Sequence, residues 1–469
     1  MQARRSKNRT DIILYEKPIL KGMLILALPI FFNNILKSLH DMVDMIFLAR
    51  MSGNVSEVNS ALAAVNIHFP TYAFFLAIGT GLGVATVTII SQYLGSKRID
   101  LAKKYSGRTT LLALIFGLVI TFGMYLLSPM IIKVMGAKGL TYTYALEYFQ
   151  IRSIEFIPVF LFIIYQSIRQ AEGKTLLPGI INIFGILVNV FLTWLFVNKL
   201  QMGIAGAAWS TVIGQSIGLP FIIYGLFFSK TNVTINISEL KLDKETSKDI
   251  FKLMIPAMLA SALNSLGFMI IQARLLYYGD VVSSGFAAGN RISQLISNSL
   301  LAVSTVMATY IGNNIGNDNQ KRAKESYWTA LIFIFSLSIV LMVLFIIVRK
   351  QLLYLLLGTN SSQELLDYGM TFSFWLLITQ PMVAIMWADN AYFNGSGNAF
   401  LSFISGLIRL WLIRIPFVYI IAWLFPDTRH YSIIIAMMIS NIVIIVTNYF
   451  LKRRVTLEKT VRFDEAVST

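Results

Sequence analysis

The sequence predicts an all-α polytopic membrane protein, with twelve transmembrane helices in two six-helix pseudo-symmetric bundles. Three observations lead there. Hydrophobic residues make up 56% of the chain and charged residues 13%, at a mean hydropathy of +0.69, which lies outside the usual composition of soluble domains. Apolar runs of span length recur from end to end of the 469 residues, as helices crossing a bilayer require. Landmark residues of the first half then return in the second half in the same order.

Taken along the chain, the spans fall at about 20–48, 60–90, 108–129, 143–168, 176–198, 203–229, 249–278, 284–311, 325–348, 366–393, 400–424 and 431–451. An even number puts both termini on one side, and Lys and Arg decide which. The N-terminal arm, the segments around 95–108, 169–174, 230–252 and 312–324, and the C-terminal tail hold 26 of them. The opposite loops hold seven: Arg50, Lys133, Lys138, Lys199, Arg349, Lys350 and Arg429. Both termini are therefore expected on the cytoplasmic side of a cell (plasma) membrane. The net charge of +16 reads as topology, not as a surface for nucleic acid. Arg4, Arg5, Lys7 and Arg9 precede an apolar run that is long, carries charges and lacks a small-residue cleavage site, which argues against a cleaved signal. With no cysteine, thiol catalysis and disulfides are excluded.

The longest loop, Ser229 to Lys248, is polar and divides the chain almost in half. The expected organisation is an N-terminal six-helix lobe over 1–229, a cytoplasmic linker over 230–248, a C-terminal six-helix lobe over 249–451 and a cytoplasmic tail over 452–469. Pro29 early in span 1 matches Pro256 early in span 7. QYLGSKRIDLAKK aligns with NNIGNDNQKRAKE, setting Gly95 on Gly316 and Ala102 on Ala323; Gly136 then falls on Gly358, Pro158 on Pro381 and Gly173 on Gly397. Six spans per copy insert both copies the same way up. Such a parallel repeat has its axis along the membrane normal, with substrate expected between the lobes.

Span 1 carries the strongest chemical signal. In PIFFNNILKSLHDMVDMIFLAR, Asn34, Lys37, Asp41 and Asp44 recur at spacings of three and four and so form one polar stripe on a helix. A charge near the bilayer centre costs about 2.5–3.5 kcal/mol, so these groups must face protein or a water-filled cavity. Lys37 and Asp41, at i and i+4, can neutralise each other as a structural pair; Asp44 has no such partner on its own helix. Arg152 and Glu155 in span 4 lie one turn apart and read as another neutralising pair. Arg409 and Arg414, mid-span in span 11, have no acid nearby in sequence. Either they pair across helices with Asp389 or with lipid phosphate, or they line a basic cavity for an anionic or lipid-linked substrate. The GTGLG cluster at 79–83 lies inside a span, where small residues let helices approach or bend. His40, His68 and His430 make no metal-ligand spacing, and no nucleophile elbow or triad pattern is present. No metal, cofactor or enzymatic activity is expected.

VDMIFLAR with the following SALAAV (Val43 to Arg50, Ser60 to Val65), SQYLGSKR after span 2, QAEGKTLLPG (Gln170 to Gly179) and GIAGAAWSTVIGQ (Gly203 to Gln215) occur in this order. With these motifs and its six-plus-six repeat, the sequence resembles the multidrug and toxic compound extrusion transporters over nearly its whole length. The resemblance implies a secondary active efflux transporter, a cation-coupled antiporter that exports amphipathic organic compounds or drugs by alternating access. It makes Asp44 the group that takes up a proton or sodium ion, and Asn189 and Thr211 members of the same site. Many members carry Asp four residues after that asparagine and then Pro; here the positions are Thr193 and Trp194. One carboxylate fewer weakens a sodium cage and suits a proton, and Asp41 can supply the missing charge from one turn away. The expected ion-coupling residues are Asp44, Asp41, Asn189, Thr193 and Thr211. The expected substrate-cavity residues are Asn34, Lys37, Arg409, Arg414 and Asp389, the last near enough to a span end that simple solvation is the alternative. H+ is favoured over Na+ as coupling ion. A small organic substrate and membrane lipid are the expected partners, nucleic acid is not, and a monomer is expected. The runner-up is a flippase of the same superfamily moving an anionic lipid-linked precursor.

The topology is testable in intact cells: a tag at either terminus should resist external protease, and a cleavable tag at residues 199–202 should be cut.

Overall fold

Length and apolarity dictate helices here, because a chain in hydrocarbon must satisfy its backbone internally. The structure, a computed structural model, describes residues 12–49, 55–357 and 363–459, and for residues 12, 37–46, 49, 55, 56, 59, 276, 280, 357 and 427–429 the backbone alone. Among the described residues every regular element is helical. Twelve spans follow in the predicted order. They are α1 (Ile19–Ala49), α2 (Val55–Gly95), α3 (Ile99–Val134), α4 (Gly139–Ser153 and Phe156–Ala171), α5 (Leu176–Thr193, continuing as Trp194–Lys199) and α6 (Gly203–Ser216 and Leu219–Phe227). Then come α7 (Lys244–Tyr277), α8 (Asp280–Gly316), α9 (Gln320–Leu357), α10 (Gln363–Ile378 and Gln380–Gly395), α11 (Ala399–Leu407, Ile408–Arg414 and Ile415–Leu424) and α12 (Ser432–Lys452).

Two spans that read as single runs in sequence are bent, α4 by 44° and α10 by 45°. Each break falls just ahead of a proline, Pro158 and Pro381, which sits in the first turn of the second piece. Proline lacks the N–H that a helix interior needs and disfavours helical backbone before it, yet fits a first turn. The prolines that mark the repeat are therefore also its bends.

The chain forms two compact units, Leu28–Met258 and Met1–Ala27 with Leu259–Thr469. In the first, α2 packs on α3 and α4, and α5 on α6. The glycines at 79–83 explain the closeness on α2. A Cβ on Gly79 would lie 2.9 Å from the Phe160 ring, and one on Gly81 would lie 2.7 Å from the Met254 carbonyl oxygen at the start of α7. In the second unit α8 packs on α9 and α10, and α11 on α12, the same order of neighbours.

The central loop, 230–248, lies within the first of these units. It is bonded to the first unit. The buried Arg169 side chain donates to the Gly225 carbonyl, the Glu172 carboxylate and the Thr231 hydroxyl, and Glu172 Oε1 accepts the Val233 N–H at 3.1 Å. Arg108 pairs with Glu239 at 2.9 Å and with Asp243 at 3.0 Å. At the other end of the chain, Tyr310 Oη donates to the Ile13 carbonyl at 2.9 Å, and Arg322 Nη2 to the Lys17 carbonyl at 2.8 Å. Tyr15 Oη reaches Asn313 Oδ1 at 3.1 Å. These bonds tie the segment before α1 to α8 and α9.

Asp243 caps α7, taking the Thr246 N–H at 2.8 Å and its hydroxyl at 2.7 Å. Partial burial alone would raise its carboxyl, but the two Thr246 bonds and Arg108 outweigh it and hold the group at about 2. The folded value lies below the ordinary one of about 3.9. Its stabilisation is therefore complete above that value and is lost as pH falls towards about 2. Arg108→Gln should destabilise the purified protein by about 1–3 kcal/mol and speed proteolysis within residues 230–243. Asp243→Asn should cost less, about 1 kcal/mol for an exposed cap, with a thermal-unfolding difference from wild type that shrinks below about pH 4.

Candidate functional site

Polar side chains within an apolar helix pair must bond to one another, and α5 and α6 show this most fully. Asn189 and Thr193 lie one turn apart on α5; Ser210 and Thr211 lie on α6. Asn189 Nδ2 donates to Thr211 Oγ1 at 3.2 Å, and Thr193 Oγ1 to Asn189 Oδ1 at 3.4 Å. The Thr193 and Ser210 hydroxyls are 2.8 Å apart. Ser210 and Thr211 also reach the Ala207 carbonyl, at 2.9 and 3.0 Å. All four side chains are buried. The helices approach this closely because residue 214 is glycine; a Cβ there would lie 2.6 Å from the Asn189 Cβ. After Thr193, in place of a proline, α5 widens into the π-helical turn Trp194–Lys199.

The structure thus joins Asn189, Thr193 and Thr211 to one another. It adds Ser210, whose only signal was its place beside Thr211. Lys37, Asp41 and Asp44 lie on α1, and their side chains fall outside the described residues. Asn34 is half-buried on the same helix. Its neighbour Asn33, absent from the expected set, is buried and accepts a hydrogen bond from Asn182 of α5 at 2.5 Å. The consecutive amides at 33 and 34 were the available sign that one of them faces a second helix.

The remaining intramembrane charges resolve differently from one another. Arg152 and Glu155 form the expected pair at 2.9 Å, at the bend of α4, with the guanidinium over the Tyr72 and Tyr148 rings at 5.8 and 5.4 Å. Asp389 corrects the reading of a solvated helix end. It is 0% exposed, with Lys452 Nζ 2.7 Å from Oδ1 and the Tyr327 hydroxyl donating to the same oxygen at 2.7 Å. Its base comes from the far end of α12, 63 residues on, which no local spacing reveals. Asp389 is therefore not the partner of the span-11 arginines. Arg414 donates from Nε to Ser440 Oγ at 2.9 Å and from Nη2 to Asn441 Oδ1 at 2.7 Å. Arg409 Nη2 donates to Asn264 Oδ1 at 3.1 Å.

A family model described as MatE matches residues 29–195 and again residues 256–420. The two matches begin on Pro29 and Pro256, the prolines already set opposite each other. Among curated proteins, the chain is 28% identical over 410 residues to "Probable multidrug resistance protein YpnP" of Bacillus subtilis (strain 168), covering 87% of this chain and 89% of that protein. It is 22% identical over 452 residues to the multidrug export protein MepA of Staphylococcus aureus (strain MRSA252), covering 96% and 98%. Among solved structures, its fold is similar to that of an outward-facing multidrug resistance MATE family transporter of the MOP superfamily, at TM-score 0.88 and 22% identity over 96% of this chain and 98% of that one. A MOP superfamily transporter from Pyrococcus furiosus matches at TM-score 0.88 and 22% identity, over 97% and 100%. Helical spans from end to end and a family pattern found once in each half agree: the chain belongs to the MatE family, and it is a membrane transporter, not an enzyme.

Proposed function

We propose that this protein is a proton-coupled exporter of amphipathic organic compounds in the cell membrane, with Asp44 as the coupling residue. Relatives named as multidrug export and resistance proteins support export of such compounds. The observation favouring a proton over sodium is the cluster of Asn189, Thr193, Ser210 and Thr211. Sodium is held best by several anionic or carbonyl oxygens together, as hard cations are. These four side chains carry no charge and already bond to one another. One acid among neutral partners suits a proton, with Asp41 as the nearest further acid on α1.

Coupling follows from the cost of charge at membrane depth. Asp44 ionised must be kept hydrated or paired; Asp44 protonated can be enclosed by apolar helix faces. Proton uptake therefore shifts the balance between inward-open and outward-open states by the difference in proton affinity of the two. A proton taken from outside favours the state that has released substrate, and its loss to the cytoplasm restores the state that binds substrate. Pro29 in α1, and Pro70 with Gly79, Gly81 and Gly83 in α2, are places where a helix can bend in response.

The test uses the full chain reconstituted in vesicles with an imposed pH gradient and ethidium as cargo. Asp44→Asn, which mimics the protonated acid, should abolish gradient-driven export while leaving the protein folded and inserted; Asp41→Asn should weaken it less. Asp389→Asn should lower stability, by about 1–3 kcal/mol for a buried charge left partly paired, and leave the pH dependence of export unchanged. Full export by Asp44→Asn with normal pH dependence would move coupling to Asp41, Glu155 or Asp389. Export driven by a sodium gradient alone would overturn the choice of ion.

A further inference from the structure

α11 leaves α-helical geometry over Ile408–Arg414, and both of its arginines lie in that stretch. In an α-helix, residues five apart point about 140° from each other; a π-helical turn of about 4.4 residues reduces this to about 50°. Arg409 and Arg414 are thereby turned towards one side of α11. The stretch is held against α7 by Trp411, whose Nε1 donates to the Leu263 carbonyl at 3.1 Å.

Every side chain bonded to the two guanidiniums is neutral: Asn264 on α7, and Ser440 and Asn441 on α12. Among the described residues neither arginine meets a carboxylate, and Asp389 is already held by Lys452 and Tyr327. Donors are left over. Arg409 has five N–H groups and uses one of them within the protein. Its Nε, and the Asn441 Nδ2, are buried without a hydrogen-bond partner. Both arginines flank the middle of the span Ala399–Leu424, where charge without a counter-charge is strongly disfavoured. Two positive charges with spare donors, and no acceptor to match, describe a site that an anion would complete.

We infer that Arg409 and Arg414, with Asn264, Ser440 and Asn441, bind the oxyanion headgroup (phosphate, sulfonate or carboxylate) of an amphipathic molecule. The planar fork of a guanidinium matches two oxygens of such a group, which a lysine does not. The site rests on the reading of this chain as an exporter and extends its substrates to anionic amphiphiles. The headgroup can come from a membrane lipid or from an exported organic anion, and both present the same chemistry to the arginines.

Binding to the full-length protein in a neutral maltoside detergent, read by thermal shift, separates the sources. The probes are lysophosphatidylglycerol as the lipid, 2-naphthalenesulfonate as the organic anion and ethidium as the cation. Arg409→Gln, at a half-buried position, should weaken the anion that binds by about tenfold or more, as loss of a charge-assisted hydrogen bond does. Ethidium affinity should change by less than about twofold, since this site offers a cation only repulsion. Arg409→Lys should recover part of the anion binding, keeping the charge without the fork. Arg414→Gln, if it folds, should act in the same direction. Binding of the lysolipid alone assigns the headgroup to lipid; binding of the sulfonate assigns it to an exported anion. Anion affinities unchanged in Arg409→Gln, or ethidium weakened as much as the anions, would overturn the site. Ethidium export by the wild type is measured separately. If it fails while anion binding still depends on Arg409, the export reading falls and the site stands; if it persists while Arg409 is without effect, the site alone falls.

Discussion

Hydrocarbon offers no hydrogen bonds, and the interior of each unit follows from that. A polar side chain within a span must find its partners on neighbouring helices or become very costly. Arg152 finds Glu155 at the bend of α4. Asn189 finds Thr211, and Thr193 finds Ser210, where α5 and α6 pack at Gly214. Asp389 finds Lys452 and Tyr327. The pairings between helices, at Asn189 and Thr193 and at Asp389, fix which helices are neighbours, because a different neighbour would leave the group stranded. The polar residues therefore specify the packing that the apolar residues only favour.

The two halves share a frame and differ in charge. Both bend their fourth span at a proline and widen their fifth into a π-helical turn. In the first half the fifth and sixth spans meet through hydroxyls and an amide. In the second, the corresponding pair meets through Arg414 with Ser440 and Asn441. The first spans differ too: α1 carries Asp41 and Asp44, and α7 carries no acid between Leu253 and Leu276. The duplicated scaffold thus carries acids in its first span that α7 lacks between Leu253 and Leu276, and arginines in its eleventh that α5 lacks.

Much of this was legible in the sequence, for a physical reason. Span number and order depend on the length of apolar runs, a local quantity, and all twelve spans fall where the sequence sets them. The Arg152–Glu155 pair was legible because its members are one turn apart. Asn189 and Thr211 were singled out through resemblance and Thr193 as a departure from it, while Ser210 joined them only once two helices were docked. Asp389 looked solvated because Lys452 and Tyr327 lie far away in sequence. The bends of α4 and α10 were signalled by Pro158 and Pro381, which served as markers of repetition and not as breaks. The π-helical turns had no sequence signal, since they depend on how a helix is held at both ends.

The segment ahead of α1 carries a consequence for how the molecule is made. One unit is a single continuous stretch, Leu28–Met258, and the other combines Met1–Ala27 with Leu259–Thr469. During synthesis the continuous unit has all its parts once α7 has begun to emerge. The first residues must wait, because their partners on α8 and α9, Tyr310, Asn313 and Arg322, are made some 300 positions later, on the order of tens of seconds at ordinary elongation rates. The start of the chain is thus among the last pieces to be set, and it closes a unit whose other helices were all made after it.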